Sequence, residues 1–415
     1  MKAEIINIGD ELLIGQVVNT NAAWMAEQLT LAGILTERIT VIGDTREEIL
    51  GSLAEAEKRA EIVLISGGIG PTNDDRTKVT LCEFFHDRLV FSEDAYRDIE
   101  QLFHRRGYPV TELNRQQAEL PEHCTPIPNP LGTARGMWFE KPRPGGGITV
   151  FVSMPGVPFE MKEMMTSRVI PDLRKVFSPP VVCNRTLLTQ GIGESFLAAR
   201  IADWENALPP DIRLAYLPQP GIVRLRLTAT GTEENLLRER IEREVAQVSA
   251  LIPEYLFGFD DDTLEAIIGW QLSTLGATLA TAESCTGGAL AAQITQVPGS
   301  SAYFLGSVVA YANEVKSRLL GVDPAIIARH GAVSGEVVSA MAEGVRLRLG
   351  SDYALATSGV AGPSGGTPEK PVGTSWIAVA SRQGVTAHHF LFGDNRERNI
   401  RRTVLAALNL LRKVI

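Results

Sequence analysis

Three short apolar runs, at residues 3–8, 35–42 and 62–65, are each followed by a helical pattern, at 21–31, 46–60 and 72–85. No other feature of the chain constrains its fold as strongly. A β-α-β-α-β-α rhythm calls for a parallel sheet covered by helices on both faces. A further strand at 148–152 runs into the turn Met154-Pro155-Gly156-Val157-Pro158 and a helix at 159–165. The first domain is therefore expected to close near residue 170.

Pro171, Pro179 and Pro180 mark a boundary. The segment 171–256 reads as a small α+β module, with strands at 185–190 and 222–230 and helices at 194–204 and 233–249. Alternation in Val223-Arg224-Leu225-Arg226-Leu227 predicts a half-buried strand. From 257 to 415 an α/β pattern restarts, with strands at 277–281, 303–311, 353–358, 374–380 and 386–392. The fold class is thus α/β: a parallel-sheet domain, a small α+β middle module and a second α/β domain.

Length and composition fit that plan. At roughly 100–200 residues per domain, 415 residues make two or three domains. With 44% apolar and 21% charged residues the chain can bury a core, which excludes disorder as its main state. A net charge of −9, without a Lys/Arg block, argues against a stable grip on nucleic acid or an anionic membrane. Four dispersed cysteines and an N-terminus broken by Glu4 and Asp10 point to a cytoplasmic protein with reduced thiols.

The first chemical constellation is Ser66-Gly67-Gly68-Ile69-Gly70-Pro71-Thr72-Asn73-Asp74-Asp75, where a strand hands over to a helix. Glycines and helix-start N–H groups welcome a phosphate, and Gly68, Gly70 and Thr72 are the candidate contacts. The same residues also suit a plain turn and helix start. Adjacent carboxylates beside a phosphate need a cation between them, so a divalent metal bridging Asp74 or Asp75 to a pyrophosphate is the sharper reading. Gly9-Asp10-Glu11 and Gly43-Asp44 end the two preceding strands, on the edge where open α/β sheets bind ligands. Glu11 and Asp44 therefore join the candidate ligands.

The second constellation is Ser284-Cys285-Thr286-Gly287-Gly288, with Tyr311 and Lys316 downstream. Ser284, at a strand end, suits a nucleophile beside N–H groups that would hold an oxyanion, or simply a helix cap. A serine nucleophile needs a base, and no histidine occupies a comparable loop. His330 and the pair His388-His389 read as structural. Cys285 is the rival nucleophile. Lys316 serves as the base if burial lowers its pKa, and is otherwise a solvated helix lysine. A glycine-rich loop, Gly359 to Gly366, closes a neighbouring strand and suggests a pocket for a small phosphorylated substrate.

Gly9-Asp10-Glu11-Leu12-Leu13, the 67–75 run and 154–161 together resemble the N-terminal domain of the CinA family (competence/damage-inducible protein A). That domain is similar to molybdopterin-binding proteins of the MoaB/MogA/gephyrin kind. The segments 282–288, 311–316 and 358–363 resemble the family's C-terminal amidase domain, and the middle module resembles a KH domain. The resemblance implies nicotinamide mononucleotide (NMN) deamidase activity: NMN and water give nicotinic acid mononucleotide and ammonia, a pyridine-nucleotide salvage step. It implies Ser284 as nucleophile and Lys316 as general base, with Tyr311 beside them and no cofactor. Thr286, Gly287, Gly288, Thr357, Ser358, Gly359 and Gly362 would line the substrate pocket. For the N-terminal domain it implies a metal-dependent ADP-ribose pyrophosphatase, and for the assembly a homodimer. The middle module has no GXXG clamp, since Gly191-Ile192-Gly193-Glu194 does not meet the pattern.

Two other readings remain open on the sequence alone. A molybdopterin-handling protein would use the N-terminal domain only and leave the C-terminal motifs without a role. A non-catalytic competence or DNA-repair accessory would need a DNA-binding surface, which the acidic balance disfavours.

Overall fold

The computed structural model describes residues 1–72 and 75–415. The chain forms two compact units, one of residues 1–183 with 230–237 and one of 184–229 with 238–415. Among the described residues no helix is long and apolar enough to cross a membrane.

The first unit is built on strands β1 (Lys2–Ile8), β2 (Leu35–Ile42), β3 (Ile62–Ser66), β4 (Leu89–Phe91), β5 (Glu119–Pro121), β6 (Thr125–Ile127), β7 (Gly136–Pro142) and β8 (Ile148–Met154). Six of them form one sheet, in the order β2-β1-β3-β8-β7-β6. β2, β1, β3 and β8 are parallel, while β7 and β6 run antiparallel. Period-two alternation sorts each strand between two cores. Ile5, Leu64 and Val152 face one cluster, and Ile6, Val63 and Phe151 face the other. Helices Thr20–Leu31 and Arg46–Arg59 follow the first two strands, as the periodicity predicts.

The helix expected from residue 72 begins at Thr77 and ends at Phe84. Ahead of it, Asp75 accepts from the Thr72 backbone N–H and hydroxyl. Between residues 85 and 147 the chain adds the helix Glu93–Arg106 and the short strands β4 to β7. These strands, mostly three residues long, carry too little alternation to stand out.

The small module contributes β9 (Val181–Gln190), β10 (Ile212–Gln219), β11 (Ile222–Gly231) and β12 (Leu256–Phe259), in the order β10-β11-β9-β12. β11 alternates as predicted, with Val223, Leu225 and Leu227 buried. Most of this module belongs to the second unit.

The C-terminal sheet comprises β13 (Leu279–Glu283), β14 (Phe304–Val309), β15 (Tyr353–Gly359), β16 (Thr374–Ser381) and β17 (Gly384–Leu391), in the order β14-β13-β15-β16-β17. β14, β13 and β15 are parallel and the last two antiparallel. One face of β13, β15 and β16 presents Ala280, Ala282, Ala354, Ala356 and Ala378 to the helix Gly335–Leu349. These small side chains let that helix lie close. The other face packs Leu279, Leu355 and Ile377 against helices Leu264–Leu275 and Arg396–Val414.

Candidate active site

The parallel strands β13, β14 and β15 deliver three loops to one edge of the C-terminal sheet. Ser284 is the first residue after β13, and its N–H donates to Thr357 O at 2.9 Å. It is half-buried. Lys316, on the helix Asn313–Leu320 that follows β14, is only 1% exposed. Its Nζ lies 3.1 Å from Ser284 Oγ, 2.9 Å from Ala310 O and 3.2 Å from Tyr311 O. Among the described residues no carboxylate pairs with it. Burial therefore pushes the Lys316 amine below its ordinary value, because the charged form is desolvated without a counter-ion.

Those three oxygens can take the three N–H bonds of an ammonium, and they suit the neutral amine as well. Two N–H bonds can donate to the two carbonyls, leaving the lone pair for the Ser284 hydroxyl proton. The rival nucleophile is disfavoured: burial pushes the Cys285 thiol up to about 12, so it stays protonated. Cys285 is 7% exposed.

The turn that presents Ser284 is held by Glu283, a residue the sequence reading gave no role. Its fully buried carboxylate accepts from the backbone N–H groups of Gly288, Leu290 and Ala291 and from the Thr286 hydroxyl, at 2.7–3.0 Å. It thus caps the helix Ala289–Thr295, whose own cap residue, Gly288, has no side chain to do so. The Cys285 and Thr286 N–H groups find no backbone acceptor among the described residues. Gly287 and Gly288 have φ of 61° and 102°, the left-handed region that glycine enters without strain.

Of the expected pocket residues, Thr286 and Thr357 are buried and share a 2.7 Å hydrogen bond. Ser358 is also buried, and its hydroxyl donates to Ala332 O at 2.8 Å. These three side chains brace the loops from behind. Tyr311 is 61% exposed at the mouth. Gly359 ends β15, and Gly362 O accepts from Arg396 Nη1 at 2.9 Å. Arg396, which the sequence reading also missed, reaches the Tyr311 hydroxyl with Nη2 at 3.3 Å. It starts the last helix after the Asn395 cap. Both missed residues had a faint signal: an acid ending an apolar strand must find N–H partners, and an arginine opening a helix after Gly-Asp-Asn tends to face outward from the sheet edge.

His330 Nδ1 lies 3.2 Å from Glu336, and His388 and His389 are exposed on the edge strand β17.

In the first unit the loops after β1, β3 and β8 share the corresponding edge. Asn21 Nδ2 donates to Ser66 Oγ at 3.2 Å and Gly156 O at 2.8 Å, and Ser66 Oγ donates to Pro155 O at 3.1 Å. At Gly67, with φ of 114°, a Cβ would stand 2.2 Å from Ile8 O; at Gly68 one would meet the Thr77 hydroxyl at 2.1 Å. The Thr77 hydroxyl is buried without a partner among the described residues. Gly70 O accepts from Gln117 Nε2 at 2.8 Å, and the Lys78 amine, pushed down by burial, lies 3.4 Å from Gln117 O. Thr72 is exposed and engaged by Asp75.

The expected metal ligands are not gathered in the same way. Asp75 is bound into its own loop, Glu11 folds back over Gly9, and Asp44 stands beside a Gly43 N–H that donates to Glu48 instead. Among the described residues, the one group of three or more potential ligands close enough to share an ion is Asp87, Glu122 and His123, away from this loop. Asp74 lies outside the described residues. Glu11, Asp44 and Asp75 are not in that group.

Comparison with known proteins matches residues 261–415 to the CinA C-terminal domain, 4–175 to a probable molybdopterin binding domain, and 184–258 to the damage-inducible protein CinA KH domain. The chain is 46% identical to a CinA-like protein of Cytophaga hutchinsonii, over 99% of this chain and 97% of that one. It is 43% identical to a CinA-like protein of Flavobacterium psychrophilum, over 100% and 99%. A solved competence/damage inducible protein of Agrobacterium tumefaciens, CihA, is 39% identical over 36% of this chain and 91% of its own, with a TM-score of 0.35.

Proposed function

The chain belongs to the CinA family, and from that premise we propose that its C-terminal domain hydrolyses the carboxamide of NMN with Ser284 as nucleophile and Lys316 as base. The observation that carries the reading is the buried, carboxylate-free amine 3.1 Å from the serine hydroxyl. Ser284 Oγ attacks the carboxamide carbon as its proton passes to the Lys316 lone pair. The Cys285 and Thr286 N–H groups, fixed by the Glu283-capped turn, receive the developing oxyanion. Lys316 returns the proton to the leaving nitrogen, the C–N bond breaks and ammonia departs. Water then attacks the acyl ester, gives its proton to Lys316, and nicotinic acid mononucleotide leaves as Ser284 is reprotonated.

Arg396, held between Tyr311 and Gly362 at the mouth, supplies a positive charge for the nucleotide's phosphate. Ammonia release from NMN by the purified chain, against Ser284→Ala, tests the reading. Failure of the wild-type chain to release ammonia would overturn it.

For the first unit we propose a pyrophosphate site at Gly67, Gly68 and Thr77. It is supported by the glycine backbone at Gly67 and Gly68 and by the Thr77 hydroxyl beside them, which has no partner among the described residues. ADP-ribose hydrolysis, with its dependence on added divalent cation, is the corresponding assay.

A further inference from the structure

In the second unit a cleft of about 610 Å³ opens between the face of the β10-β11-β9-β12 sheet and the helices of the C-terminal domain. That volume suits a small organic molecule and is far larger than a single ion needs. None of Ser284, Lys316, Tyr311 or Arg396 lines it. Its floor is apolar, formed by Leu188, Ile222, Phe257, Leu264, Val404 and Leu405.

Over this floor stand two arginines. Arg224, half-buried on β11, has a buried Nε without a partner, and its guanidinium makes no hydrogen bond or ion pair with a described residue. Arg401, exposed on the last helix, makes one contact, to Gln219 Oε1 at 3.3 Å. A buried Nε with no acceptor is costly unless water or a ligand supplies one, and a ligand phosphate in the cleft would do so.

The acids of the rim are mostly engaged. Asp260 is paired with Arg185 and accepts from the Thr186 N–H, Asp262 accepts from the Phe259 N–H, and Glu265 accepts from Gln293. Asp261 and Glu397 remain as acceptors without partners among the described residues.

We propose that this cleft binds a nucleotide, with its planar ring on the apolar floor, its phosphates on Arg224 and Arg401, and its hydroxyl or amino groups on Asp261 and Glu397. Inorganic phosphate alone would leave the floor wet. A purely apolar ligand would leave the Arg224 guanidinium unpaired. A nucleotide satisfies both. The site does not depend on the amidase reading of Ser284.

Calorimetric titration of the full chain with ADP, adenosine and inorganic phosphate tests the proposal. ADP is expected to bind, with adenosine and phosphate each weaker by at least about tenfold, because each lacks half of the contacts. Arg224→Ala and, at an exposed position that folding does not need, Arg401→Glu should each weaken ADP by about tenfold or more. A photoreactive azido analogue of ADP should label peptides within 256–265 or 400–405. No binding of ADP at millimolar concentration, unchanged affinity in Arg401→Glu, or label confined to other parts of the chain would each overturn it.

Discussion

The Lys316 amine and the Ser284 hydroxyl, 32 residues apart in sequence, stand 3.1 Å apart because β13 and β14 are parallel neighbours whose C-terminal ends open side by side. The serine sits on the loop of one strand and the lysine one helical turn into the element after the other. Neither position is special locally, and the pairing of strands makes them a unit.

Replacement of the nucleophile gives the first expected outcome. Ser284→Ala should cut ammonia release from NMN by at least about a thousandfold, since no other group can form the acyl intermediate. Cys285→Ala should keep near-normal turnover, because its thiol, pushed up to about 12, contributes no thiolate at neutral pH. A Cys285→Ala variant as inactive as Ser284→Ala would exchange the two roles.

The base gives a pH dependence of definite sign. Burial lowers the Lys316 value, so the neutral form accumulates as pH rises through a midpoint below the ordinary lysine value of about 10.4. Turnover should therefore rise with pH along an acidic limb that reports that lowered midpoint. Lys316→Arg should be inactive at every pH tested, because guanidinium does not give up its proton in this range. Near-normal turnover in the Arg variant would mean that the position supplies charge only.

How much of this was legible beforehand depended on range. The first three strand–helix pairs follow from periodicity, because one residue after another repeats the same face. Ser284 and Lys316 were legible as candidates because strand ends in parallel sheets gather chemistry. The antiparallel strand β6, three residues at the sheet edge, β7, whose apolar run gives way to Glu140-Lys141-Pro142, and β10, with Pro218 inside it, were not, since none of them sustains an alternation. Glu283 stayed hidden for another reason. Its value lies in N–H groups presented by the following turn, which exist only after the turn is folded. Of the four carboxylates expected to share a metal, Asp74 lies outside the described residues, Glu11 and Asp75 are held by separate local contacts, and Asp44 stands beside Gly43. Loops on one edge need not point their acids at one place, and Asp75 instead satisfies Thr72.

Glu283 is expected to be a positioning residue. Glu283→Gln keeps the shape but turns an N–H₂ group toward backbone N–H donors, leaving buried donors unsatisfied at about 1–3 kcal/mol each. The variant should melt several degrees lower, roughly in line with that cost. Its kcat should fall more than its KM rises, because the oxyanion N–H groups shift while the mouth does not. Unchanged kcat in a destabilised variant would confine Glu283 to a structural part.

Arg396 should show the reverse split. Arg396→Ala removes a charge at the mouth, not a group at the reacting carbon, so KM for NMN should rise by about tenfold or more with kcat changed less. The phosphate-free substrate nicotinamide riboside should be used equally by the variant and the wild-type chain. Loss of both substrates alike would place Arg396 in holding Tyr311 and the Gly362 loop rather than in reading phosphate.

The N-terminal turn can be tested without touching the serine site. Asp75 accepts two bonds from Thr72, and Asp75→Asn keeps its size while weakening both as charge is lost. The loop that fronts Gly68 and Gly70 should then loosen, and any ADP-ribose hydrolysis should fall at least about tenfold. NMN deamidation should continue, since the two sites rest on separate cores. Gly67→Ala is the harsher companion: at φ of 114° a Cβ meets Ile8 O at 2.2 Å, so this unit should lose stability outright. Equal loss of both activities in Asp75→Asn, with an unchanged melting profile, would show that the two reactions share one site.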